Sequence, residues 1–158
     1  MQMDEFAREE IMSGRYPFPL AGANRVDLAD LAHVAQVALT DPDFPAGEYP
    51  IVGPNSISGA DCAAEWSRAL GRPVQYTGDD AHQWMAFLGK QFSGQKLADM
   101  QKTYTLLAKR TWPTDVKEMA VTERLLKRPP TSYRDYVDRM AHEWLGLQTD
   151  RQSGQSTR

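Results

Sequence analysis

One stretch of the sequence gathers side chains that could do chemistry together. Asp79, Asp80 and His82 stand at the start of an expected helix that also bears Trp84, Met85 and Phe87. A carboxylate beside an imidazole in apolar surroundings is how a general acid or base is tuned. Asp80 and His82 are therefore the candidate catalytic pair, with Tyr104 as a hydrogen-bond donor. The same residues have a plainer structural role: an aspartate there caps a helix, and His82 is then an exposed first-turn residue. Trp84, Phe87, Phe92, Met100 and Trp112 could line a ligand pocket, and they could equally form ordinary helix core.

Spacing sets other chemistries aside. Tyr104 and Lys109 are five positions apart, not the four of a Tyr-x-x-x-Lys pair, so a helix turns them to different faces. His33, His82 and His142 fall on three separate expected helices, whereas zinc needs three or four clustered ligands. No G-x-S-x-G elbow occurs. Cys62 lies on the apolar face of its helix and reads as a structural thiol rather than a nucleophile. Neither G-x-G-x-x-G nor a Walker pattern is present, and the glycines are scattered singly. A pyrophosphate cradle built from glycine backbone is thus not expected, and no cofactor is expected to bind.

The elements that must position these residues follow from capping and period. Residues 3–13 read as a short amphipathic helix, and 16–20 as an extended apolar loop broken by Pro17 and Pro19. Residues 24–26, 48–52 and 73–77 read as short strands, with Pro50 marking an edge or a bulge. Asp27 caps a helix that Asp41-Pro42 ends. Ser58 and Asp61 form a variant capping box, and Gly71 is the C-cap of the helix they open. After Gly78 only helices are expected, opened at Asp79-Asp80, Ser93, Thr114-Asp115 and Thr131-Ser132. The expected fold is α/β: a small reduced sheet of about three short strands with a mainly helical C-terminal lid. It forms one domain over residues 1–147, and the polar tail 148–158 is expected to be unstructured.

Composition bounds the function classes. The 158 residues are 41% hydrophobic and 25% charged, with a net charge of −3, so a basic nucleic-acid surface is not indicated. A single cysteine precludes a disulfide framework within the chain and suits a reducing, cytoplasmic setting. No apolar run approaches the roughly 20 residues of a membrane span. The acidic first residues lack the apolar core of a signal peptide.

Three stretches carry a family resemblance. Asn24-Arg25-Val26-Asp27-Leu28-Ala29-Asp30-Leu31-Ala32 resembles the "V-D-x-x-D-[IL]-A" segment of NmrA-like proteins, which are atypical short-chain dehydrogenases. Gly47-Glu48-Tyr49-Pro50-Ile51-Val52-Gly53-Pro54, with Ile57-Ser58 and the later Leu70-Gly71-Arg72-Pro73-Val74-Gln75-Tyr76, resembles their "Y-x-[IL]-x-G-P-x-x-[IL]-S" and "L-G-R-x-V-x-Y" stretches. Arg128-Pro129-Pro130-Thr131-Ser132-Tyr133-Arg134-Asp135-Tyr136-Val137 resembles the entry to their final helix. The resemblance implies the substrate-side half of such a protein, without the half that holds NAD(P).

From this the expected function is a small-molecule pocket protein of specialised metabolism that takes an aromatic or polyketide-like ligand. A cofactor-independent, non-redox enzyme of the cyclase, isomerase or lyase type is the first expectation. A non-catalytic binding or sensor protein, or a subunit completing a split NAD(P)-dependent reductase, is the alternative. The expected partners are a second copy paired through an uncovered sheet edge, or a separate Rossmann-type chain.

Overall fold

The structure is a computed structural model that describes residues 3–155, with side chains through residue 146. The expected tail from Gln148 lies outside the residues whose side chains are described. The first expected helix is two: α1 (Met3–Phe6) and α2 (Arg8–Met12), separated at the buried Ala7. There follow β1 (Arg15–Tyr16), β2 (Ala23–Asn24), α3 (Leu28–Thr40), β3 (Ser56–Ile57), α4 (Gly59–Leu70) and β4 (Gln75–Tyr76). Four helices complete the chain: α5 (Ala81–Gln91), α6 (Gly94–Leu107), α7 (Val116–Leu126) and α8 (Tyr133–Gln155).

The architecture is the mixed, mostly helical α/β fold with few strands. Its strands divide into two pairs: β1 runs parallel to β4, with Tyr16 opposite Tyr76, and β2 runs antiparallel to β3, with Asn24 opposite Ser56. Residues 48–52, expected as a strand, pair with none. Instead the Val52 N–H donates to Thr122 Oγ1 at 3.0 Å, and the same hydroxyl donates to the Pro50 carbonyl at 3.3 Å. Pro50 has no N–H to give a ladder, and among the described residues no strand lies alongside.

Most caps form as the sequence directs, Ser93 before α6 being one that makes no side-chain bond. Asp27 accepts from the Ala29 N–H at 3.0 Å, Ser58 and Asp61 make the reciprocal box, and Asp80 and Asp115 cap α5 and α7. Gly71 ends α4 at φ 63°, a left-handed conformation that glycine adopts without a Cβ clash.

The stretches that carry the resemblance meet in space, which explains their composition. Asp30 is fully buried and accepts from the Arg128 guanidinium, the Thr131 N–H at 2.7 Å and the Thr131 hydroxyl at 3.0 Å. Asp27, one turn earlier, also takes Arg139 Nη2 at 2.6 Å, tying α3 to α8. Asn24 grips Gly53 through both backbone groups, donating to its carbonyl at 2.9 Å and accepting from its N–H at 2.7 Å.

The core gathers around the 16–20 segment. Tyr16 and Phe18 are buried, and Phe18 stacks on Tyr104 at 5.1 Å and meets Phe87 edge-on at 5.3 Å. On the other side Trp66 of α4 stacks on Trp144 of α8, with centroids 4.5 Å apart and planes 6° from parallel. Segment 16–20 has no helical hydrogen bonds of its own. Its carbonyls are taken by neighbours: Thr77 N–H donates to Tyr16 O and Gly59 N–H to Leu20 O, each at 2.9 Å.

Candidate functional site

The polar centre of the molecule is a buried cluster around Arg25, which follows β2. Its guanidinium pairs with Asp4 of α1 at 2.7 Å and donates to the Tyr16 hydroxyl at 2.9 Å. It also lies over the Tyr133 ring, 4.8 Å from the centroid. Asp4 in turn accepts from Tyr16 at 3.0 Å, from Trp66 Nε1 at 3.2 Å and from the Tyr133 hydroxyl. Burial works against the charge on Arg25, but the Asp4 carboxylate outweighs it and holds the guanidinium charged. Burial raises the Tyr16 and Tyr133 phenols, so both remain donors at neutral pH.

Two recesses open beside this cluster and share Arg25. One, of about 340 Å³, mixes charged and apolar residues and is lined by Pro54, Ile57, Glu65, Tyr133 and Arg134 as well as Arg25. The other, of about 270 Å³, is mainly apolar: Phe18, Leu20, Tyr104 and Leu107 form its walls, and Asn24 and Arg25 its polar edge. Burial raises the Tyr104 phenol, which therefore stays protonated and able to donate. Apolar walls with a few convergent polar groups are the usual makeup of a small-molecule pocket.

The residues expected from sequence are distributed as follows. Tyr104 lines the apolar recess. Asp80 turns one carboxylate oxygen to the His82 and Gln83 N–H groups, at 2.9 and 3.2 Å, and the other to the Gln83 side chain at 2.9 Å. Those hydrogen bonds, the Gln83 side chain first, hold its carboxyl below the usual aspartate range. Asp80 thus has the capping role, and the His82 side chain is exposed. Trp84, Phe87 and Phe92 are buried in the core, Met100 packs against it half-buried, and Trp112 stands at the surface. Phe87 also borders a shallow recess of about 190 Å³ with Glu10, Arg15 and Lys90.

Sequence reasoning missed Asp4, Arg25 and Tyr133. The signal available was a lone arginine inside the apolar stretch that leads into α3, which demands a buried counter-charge.

Among the described residues no group of three or more histidine, cysteine or acidic side chains is placed to hold a metal, and no helix is long and apolar enough to cross a membrane. Four helix N-termini already carry capping side chains, whereas that of α6 at Ser93 carries none. The first turns of α3, α4, α5 and α7 are already closed by Asp27, by Ser58 with Asp61, by Asp80 and by Asp115. A carboxylate on the first-turn amides both occupies the donors and repels a phosphate.

No family model matches the chain. Over 85 residues it is 42% identical to an NAD(P)H azoreductase of Xenophilus azovorans, a match covering 51% of this chain and 29% of that protein. Its fold is similar to that of a nucleoside-diphosphate-sugar epimerase from Staphylococcus aureus, with TM-score 0.68 and 15% identity over 87% of this chain and 48% of that one. It is equally similar to an NADPH-dependent quinone oxidoreductase of Escherichia coli, with TM-score 0.68 and 19% identity over 86% of this chain and 50% of that one. The match thus spans under a third of the azoreductase and about half of each solved structure.

The mixed, mostly helical α/β fold is therefore one that these solved structures share over most of this chain. The similarities also overturn the expectation of a cofactor-independent, non-redox cyclase, isomerase or lyase. The protein matched at 42% identity is an NAD(P)H-dependent reductase, and a quinone reductase shares the fold. Nothing in these similarities points to specialised metabolism.

Proposed function

We propose that this chain forms the acceptor-side part of an NAD(P)H-dependent reductase of aromatic acceptors, azo or quinone in type. Its dinucleotide-binding unit lies outside these 158 residues. The observation that carries the reading is the 42% identity to an NAD(P)H azoreductase.

The apolar recess supports it. Phe18, Leu20 and Leu107 offer flat apolar walls to a ring. Tyr104, kept protonated by burial, donates to an acceptor heteroatom. Arg25 supplies a fixed positive charge at the edge, held in place by Asp4. Trp84 and Phe87 back this wall, with ring centroids 6.4 Å from Tyr104 and 5.3 Å from Phe18 respectively. The part played by this chain is to bind and orient the acceptor and to keep water from one face of it.

Binding of a quinone and of an azo dye to the purified chain, followed by tryptophan fluorescence, tests the reading. Saturable binding is expected, weakened up to about tenfold by Tyr104→Phe through the loss of one hydrogen bond. NADPH titrated into the same sample should not saturate. Absence of acceptor binding, or saturable NADPH binding by the chain alone, would overturn the reading.

A further inference from the structure

Arg25 stands between two recesses, and an acceptor of one ring needs only the apolar one. The other recess is the larger, at about 340 Å³ against 270 Å³. Pro54, Ile57 and the Tyr133 ring give it apolar surface, and Asn55, Glu65 and Arg134 give it polar groups. Arg134, paired with Glu65 at 2.8 Å, has a side chain 61% exposed and so faces solvent.

The two recesses adjoin across the β2–β3 pair. Ala23 lines the apolar recess and Ile57 the larger one. These two residues are opposite each other in the antiparallel register. Directly opposed residues of such a pair put their side chains on the same face, with Cβ atoms about 5 Å apart. Both are partly buried against the hydrophobic core. Arg25 borders both recesses, and Asp4 anchors its guanidinium at 2.7 Å. The recesses therefore meet at Ala23, Ile57 and Arg25 instead of lying on separate faces of the molecule.

Two partly apolar niches that meet at a fixed guanidinium suit two rings joined by a short rigid link. A trans azo bridge is such a link. Like a trans peptide it is a planar unit of three bonds, so it holds its two ring carbons about 4 Å apart. That is close to the separation of the Ala23 and Ile57 side chains. A cis azo bridge folds the two rings together, and a quinone of one ring has nothing to place in the second niche.

We infer that the recess lined by Pro54, Ile57 and Tyr133 is a second ring subsite, and that the acceptor it selects is a trans diaryl azo compound. One ring lies in each recess, with the bridge at Arg25. A polar or anionic substituent on the second ring emerges beside Arg134. The inference rests on the acceptor-binding reading above and narrows its substrate class to two-ring acceptors.

The test is calorimetric titration of the chain with two probes. One is azobenzene-4-carboxylate, which light converts between trans and cis; the other is duroquinone, which has one ring. The trans dye should bind at least about tenfold more tightly than the cis, because only the trans form buries its second ring. Asn55 is an exposed residue at the edge of the second recess. Asn55→Trp puts an indole there and should keep the circular dichroism of the wild type. It should cost the trans dye at least about tenfold more than it costs duroquinone. Ile57→Trp should shift the same ratio in the same direction, whereas Leu107→Trp, in the apolar recess, should weaken both ligands. Equal binding of trans and cis dye by the wild type would overturn the inference. So would losses in Asn55→Trp and Ile57→Trp that are absent, or equal for dye and quinone. If duroquinone still saturates in those cases, the acceptor-binding reading stands without the second subsite. If neither ligand binds the wild type, both are removed.

Discussion

Asp4 is a buried carboxylate ringed by donors from Tyr16, Arg25, Trp66 and Tyr133. Asp4→Ala leaves Arg25 buried without its counter-charge, and breaking a buried pair in this way costs about 3–5 kcal/mol. Urea denaturation of the variant should show that loss, together with greater exposure of Trp66. The lone Arg25 signalled a buried counter-charge, but the sequence did not show which residues supply it. Asp4 lies 21 positions from Arg25 and 129 from Tyr133, and no local period links residues so far apart. The caps were legible because each is a bond across two or three residues. For the same reason Asp80 was readable both as a cap and as an acid, and only its geometry separates the two roles.

At the scale of elements, two contacts decide how helices and strands join. Gly53 lies against the backbone of Arg25: a Cβ there would sit 2.0 Å from the Arg25 carbonyl oxygen. Gly53→Ala must push the two segments apart and break the Asn24 grip, at a cost of about 1–3 kcal/mol. Thermal denaturation measures this. Between α4 and α8, Glu65 holds Arg134 at 2.8 Å, and that hydrogen bond is the main reason its carboxyl titrates below the ordinary value of 4.5. A depressed carboxylate contributes its stability fully above the unfolded value and loses it as pH falls through the folded one. The melting temperature of the wild type should therefore drop more steeply than that of Glu65→Gln on acidification through this range. The helices after residue 27 and most of their caps follow the sequence pattern, whereas the one expected over 3–13 is two and Ser93 makes no capping bond. The strand expected at 48–52 was not found, because β-forming residues specify an edge but cannot supply its neighbour.

The molecule as a whole has a polar cluster buried at its centre, an apolar recess beside it, and a helix, α3, that leaves most of its apolar residues exposed. Sequence pattern reached the fold class through its motifs. It misjudged the chemistry because the lack of a nucleotide fingerprint was read as a lack of redox function, whereas the similarity is to an NAD(P)H azoreductase. The stacked Trp66 and Trp144 rings bear on any study of that fold. Two indoles so close and nearly parallel share their electronic excitation, so light sees them as a coupled pair rather than as two chromophores. Near-ultraviolet circular dichroism from indoles fixed against each other in this way is expected to report whether α4 and α8 stay packed. It should vanish as soon as the helices part, even while each helix keeps its own backbone signal.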